Sequence, residues 1–176
     1  MPSRSGGPPR FEPQAILRTL AANQVRFVVI GGFAAVLHGS GLFTYDADIT
    51  PEPDPENLRR LCRALDELGA RIRTLAEPEG VPFHCDEHFL RRMSMLNLVT
   101  DHGDFDLSFR PAAFPNGFED LIEHSVPFDV GGFVVRVAAL DDVIRSKETA
   151  NRDKDRAALP QLYALRDRIA EQERDA

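Results

Sequence analysis

Apolar and polar positions along this chain switch between helical and strand periods, and the switches mark its elements. Ile16, Leu17 and Leu20 recur at helical spacing between residues 13 and 22, with Pro13 tolerated in the first turn, where its missing amide has no partner to lose. Phe27–Ile30 is an unbroken apolar run stopped by Gly31-Gly32, as expected of a strand buried on both faces. A short helix follows, and Asp46–Ile49 reads as a second strand. Pro51, Pro53 and Pro55 end its ladder and lead into a helix over 55–68, where Leu58, Leu61, Cys62, Leu65 and Leu68 share one face and Gly69 supplies the stop. Residues 71–75 suit a strand, whereas 77–86, with two prolines and a glycine, predict a loop near the rim of a site. Residues 94–100 and 104–109 read as strands joined by the tight turn Asp101-His102-Gly103, and 128–137 as a hairpin opened at Gly131-Gly132. From residue 139 the pattern is helical, kinked or divided at Pro160.

These elements predict an α/β (α+β) fold: a mixed sheet of four to six strands flanked by helices, with a helical C-terminal part. Residues 1–12, built of Ser, Gly, Pro and Arg, are expected to form a flexible leader, and 13–176 a single domain. With 176 residues and 43% hydrophobic content the chain can bury a sizeable core. Its net charge of −7 argues against a general nucleic-acid coat, which relies on many Lys and Arg to displace counterions. The local exception is Arg145, Lys147, Arg152, Lys154 and Arg156, a solvated helix face unless a substrate phosphate lies beside it. Cys62 and Cys85 lack zinc-type spacing and signal no disulfide framework; Cys62 is expected in the core. No run approaches the 18 apolar residues of a membrane span and the N-terminus has no apolar signal-peptide core, so a cytoplasmic protein without a membrane partner is expected.

The chemistry concentrates between residues 28 and 49. Alternate residues of a strand share a face, so Asp46 and Asp48 project together while Ala47 and Ile49 face the core. Two carboxylates about 4 Å apart repel by roughly 4 kcal/mol at an effective dielectric near 20. A divalent cation removes that penalty, and oxygen-only ligation suits Mg²⁺ or Mn²⁺ better than zinc. The glycine turn just upstream, opening a helix, is a plausible phosphate seat.

Gly31-Gly32-Phe33-Ala34, Leu37-His38-Gly39-Ser40 and Thr44-Tyr45-Asp46-Ala47-Asp48 resemble the polymerase-β-like nucleotidyltransferase superfamily, in its minimal, AbiEii-like toxin-type branch. Val99–Leu107 resembles the family's later strand, and Leu140–Lys147 with Asn151–Asp155 its C-terminal helix pair, so the resemblance spans residues 13 to 170. It implies that Gly31, Gly32 and Ser40 position a nucleoside triphosphate and that Asp46 and Asp48 hold Mg²⁺ or Mn²⁺. It further implies that Asp106 supplies the third catalytic carboxylate, with Asp104 as fallback. Lys147 is either a phosphate partner or a helix-dipole partner, and His38 reads as a hydrogen-bonded structural residue. The implied activity is transfer of a nucleoside monophosphate to an acceptor hydroxyl, the acceptor being RNA or tRNA in toxin-type members, with an antitoxin protein as partner. The chain departs from the pattern at Gly41-Leu42-Phe43, where many members carry an arginine. That departure favours the alternative, a non-catalytic nucleotide-binding or protein-interaction module on the same scaffold.

Overall fold

The computed structural model describes residues 10–176; residues 1–9, most of the leader expected from the sequence, lie outside the described residues. Phe11 packs edge-on against Phe33 at 6.4 Å, and the Glu12 amide donates to the His102 carbonyl at 2.8 Å, fixing the approach to α1 (Pro13–Ala22). Helix α1 buries Ile16, Leu17 and Leu20. β1 (Phe27–Ile30) then runs without an intervening residue into α2 (Gly31–Leu37), and β2 (Asp46–Pro51) and α3 (Pro55–Glu67) follow. After them come β3 (Arg71–Ile72), α4 (Glu87–Arg91), β4 (Met95–Thr100), β5 (Gly103–Ser108) and α5 (Phe118–Ile122). β6 (Val126–Asp129), β7 (Val134–Val137), α6 (Leu140–Ala150) and α7 (Asp153–Asp175) complete the chain.

The strands form one mixed sheet in the order β3-β4-β5-β2-β1-β7-β6. β2 lies antiparallel to β1 and parallel to β5, while β1 is parallel to β7. The α/β class is therefore as expected, with seven strands among the described residues in place of four to six. Each of the seven falls on a predicted segment, β3 within 71–75 and the β6–β7 pair on the 128–137 hairpin, so only their total was set too low. The five-residue helices α4 and α5, too short for a period to register, escaped the sequence pattern. Asn151, at φ +50, separates α6 from α7, and Pro160 stays inside an undivided α7 on its exposed side, where water can reach the carbonyl it leaves unbonded.

Two long-range ties anchor α3, the first beside the sheet and the second on the approach to α4. Buried Asn57 accepts from the Arg26 amide at 2.7 Å and donates to the carbonyls of Arg26 and Glu52, both at 2.9 Å. The second tie corrects the cysteine reading: Cys62 is buried as expected, yet it is joined to Cys85 by a disulfide. A pair 23 residues apart carries no pattern in sequence; the contact of α3 with α4 brings the two Cα atoms to 5.5 Å. No described helix is long and apolar enough to cross a membrane.

Candidate active site

Strand register builds the acidic cluster. On β2 and β5, Asp46 pairs with Asp104 and Asp48 with Asp106, so alternation places all four carboxylates on one face, with buried Ala47, Ile49, Phe105 and Leu107 on the other. One ligand oxygen each from Asp46, Asp48 and Asp106 lies within 4.8 Å of the other two. Asp104 stands outside that cluster, 3.4 Å from Arg73 Nε.

Neighbouring groups orient this triad. The Thr44 hydroxyl sits 3.1 Å from Asp46 Oδ1 and 3.0 Å from the Asp46 carbonyl. Arg73 Nη2 donates to Asp106 Oδ1 at 3.0 Å, and the Leu98 amide donates to the same oxygen at 3.3 Å, leaving the second oxygen for another partner. Burial, then the charges of Asp46 and Asp106, push the Asp48 carboxyl up to about 7, against the pull of Lys154 and Lys147. Asp106 is raised to about 6 by burial, with Arg73 opposing and Asp46 adding. Two raised carboxyls, Asp48 and Asp106, grouped with a third half-buried acid mark a site short of positive charge. Their all-oxygen donor set fits a hard divalent cation such as Mg²⁺ or Mn²⁺, held by Asp46, Asp48 and Asp106.

The glycine turn abuts the triad. A Cβ on Gly31 would stand 2.7 Å from Asp48 Oδ2, and one on Gly32 would stand 3.2 Å from Thr44 Oγ1. Gly31 also has φ +67, so close approach and backbone conformation both exclude a side chain. Across the turn, Lys147 Nζ is 3.4 Å and Arg152 Nε 2.7 Å from the fully buried carboxylate of Asp155. Two cations on one anion leave a net positive charge beside Gly31. Asp155 was missed in sequence, although an acid in register with Leu162 and Leu165 on the buried stripe of α7 was a readable signal. Arg73 carried no such signal, since its partner Asp106 lies 33 residues away.

The structure does not bring every candidate to the turn. Ser40 is buried beyond the C-terminal end of α2, about 10 Å of helix from Gly31, with its hydroxyl unbonded. His38 Nε2 lies 2.8 Å from the Ala138 carbonyl, the structural role expected of it. Of the basic positions, Arg156 pairs with Asp153 and Arg145 lies over the Phe114 ring, so their charge is partly spent within the fold.

No protein-family model matches the chain, and a search of curated proteins finds no match. Solved structures do match. The lincosamide antibiotic adenylyltransferase LnuA, bound to lincomycin, superposes with a TM-score of 0.59 at 15% identity, over 89% of this chain and 99% of that one. The fold is that of the nucleotidyltransferases. A Thermotoga maritima protein described as a candidate nucleotidyltransferase matches at 0.53 and 16% identity, over 89% of this chain and 96% of its own. ANT(2'')-Ia in complex with adenylyl-2''-tobramycin matches at 0.51 and 16%, over 92% and 95%. At such identity the likeness carries the nucleotidyltransferase fold and leaves the branch within it, AbiEii-like or other, to further test.

Proposed function

We propose that this chain transfers a nucleoside monophosphate from a nucleoside triphosphate to an acceptor hydroxyl. The observation that carries the reading is the convergence of Asp46, Asp48 and Asp106 beside a glycine turn with no room for a side chain. The triphosphate lies on the Gly31-Gly32 turn, with the net charge of the Lys147, Arg152 and Asp155 group facing its β- and γ-phosphates. The acceptor oxygen attacks the α-phosphorus, the bond to the bridging oxygen of the β-phosphate breaks, and pyrophosphate departs. Asp106, held through one oxygen by Arg73 and Leu98, presents its other oxygen to the acceptor and takes up its proton. A divalent cation bound to the three aspartates supplies charge neutralisation on the α-phosphate and on the attacking oxygen. Thr44 keeps Asp46 in the orientation that such binding needs.

A small polyhydroxylated acceptor fits best. LnuA and ANT(2'')-Ia are solved with lincomycin and with adenylylated tobramycin. Here Asp104 extends the acidic face beside Asp106, which repels a polyanion and welcomes a neutral or cationic acceptor. RNA or tRNA as acceptor, under the control of an antitoxin, is the second reading. It is favoured by Phe43 and Tyr45, 92% and 79% exposed immediately before Asp46, where unpaired bases can stack.

The test incubates the purified chain with each α-labelled triphosphate and Mg²⁺ or Mn²⁺, against total RNA and against a panel of aminoglycosides and lincosamides. Label transfer with pyrophosphate release, lost in Asp46→Asn, is expected. Transfer that survives Asp46→Asn rules out the site, and tight nucleotide binding with no turnover on any acceptor supports the non-catalytic alternative.

A further inference from the structure

Beside the Gly31 turn, a partly open cleft runs between the start of α2 and α6. Its lining is of mixed character. Lys147 and Arg152, with the Asp155 that they share, contribute the charged part beside Gly31, and Phe114, Leu121 and Val143 form apolar walls. A second carboxylate, Asp142, also lines it, outside that ion-paired group.

Asp142 is only 8% exposed, and its Oδ2 accepts no hydrogen bond. The closest base is His124 Nδ1, 3.5 Å from Oδ2, on a ring that is itself largely exposed. Burial pushes this carboxyl above the usual range, with His124 and Arg145 pulling it back. Its place in the first turn of α6 explains a negative charge there but not its burial, because exposed Asp141 in the same turn already answers the helix dipole. With one exposed imidazole 3.5 Å away and no hydrogen bond to Oδ2, this carboxylate is costly to bury unless a further group donates to it.

We propose that this cleft seats the base of the donor nucleotide and that Asp142 selects bases bearing an amino group by accepting their N–H. The inference rests on the nucleotidyl-transfer reading and extends it to specificity. One lining then offers what one ligand needs: net positive charge for the phosphates, apolar walls for the ring faces, an acceptor for the base edge. Adenine, cytosine and guanine each offer an amino N–H. Uracil offers a single ring N–H between two carbonyl oxygens, which a carboxylate repels.

Equilibrium binding of ATP, CTP, GTP, UTP and inorganic tripolyphosphate to the full chain with Mn²⁺ tests this. The best amino-bearing triphosphate is expected to bind about tenfold or more tighter than UTP. In Asp142→Asn, which offers both a donor and an acceptor, that gap narrows to about threefold or less while tripolyphosphate binding stays unchanged. Ser146→Phe, which fills the cleft from a half-buried position, should weaken all four nucleotides and spare tripolyphosphate. Equal affinity for all four bases, an equal effect of Asp142→Asn on all four, or loss of tripolyphosphate along with the nucleotides in Ser146→Phe overturns this inference alone. Failure of every nucleotide and of tripolyphosphate to bind the unmodified chain overturns the nucleotidyl-transfer reading with it.

Discussion

Replacing Asp48 by Asn should stabilise the cation-free protein while abolishing its chemistry. Asp48 rises from 3.8 to about 7 in the fold, which corresponds to roughly 4 kcal/mol favouring the protonated form. Because the folded chain holds this proton more tightly than the unfolded chain, the contribution to stability is complete below about pH 4 and is lost as pH rises through about 7. Asp106 moves the same way, to about 6, and the two titrate as a coupled set, so the share relieved by one neutral substitution is set at about 2–4 kcal/mol at pH 8. For a chain of this length that is a melting shift of roughly 5–15 °C. Thermal melts in EDTA from pH 4 to 8.5 should show the unmodified protein losing stability with rising pH, Asp48→Asn losing much less, and the two converging near pH 4. Adding Mn²⁺ at pH 8 should then raise the melting temperature of the unmodified chain and not of Asp48→Asn, by about 2.7 kcal/mol at a hundredfold excess over Kd. An unmodified protein more stable than Asp48→Asn at pH 8 in EDTA, or a constant difference across pH, would refute the claim that the triad stores repulsion.

Gly31→Ala places a methyl 2.7 Å from Asp48 Oδ2 at a residue with φ +67; a loss of about 1–2 kcal/mol in a thermal melt, together with loss of Mn²⁺-induced stabilisation, is expected. Asn57→Ala strips three side-chain hydrogen bonds from a buried tie between α3 and the strands, costing about 2–4 kcal/mol in urea unfolding with activity per folded molecule unchanged. Removing the Cys62–Cys85 disulfide, which closes a loop across 23 residues, should cost about 3 kcal/mol, read as the difference between melts with and without reductant; the double serine variant should show no such difference.

What the sequence made legible follows from how local each signal is. The strand around Asp46 and Asp48, the glycine stop after Ile30 and the apolar stripe of α3 are written in neighbouring residues, and they appear where the periods place them. Asp106 joining Asp46 and Asp48 depends on the register of two strands more than fifty residues apart, which periodicity alone does not encode; the resemblance supplied it. Arg73 and the Cys62–Cys85 pairing were not reached at all, because each is defined by a partner distant in sequence: Asp106 for Arg73, and Cys85 on the approach to α4 for Cys62.

The same distinction explains why the acceptor is harder to read than the donor. The donor side is fixed by rigid parts: β2 and β5 set the spacing of the carboxylates, and the Gly31 turn is pressed against Asp48 with no space for a side chain. Such a site tolerates little variation, so its residues are recognisable. In the proposed reading the acceptor side is built from the exposed segment carrying Phe43 and Tyr45 and from Asp104 beside Asp106. Exposed segments on a rigid scaffold vary without unfolding it, and function diverges there. Leu42, where the resembling family carries a cation, belongs to that segment, and Lys147 with Arg152 places positive charge beside the turn. In the proposed reading the phosphate charge is met from α6 and α7, so replacing Lys147 should weaken triphosphate binding more than restoring an arginine at position 42 strengthens it, a comparison that tripolyphosphate titration of the two variants decides.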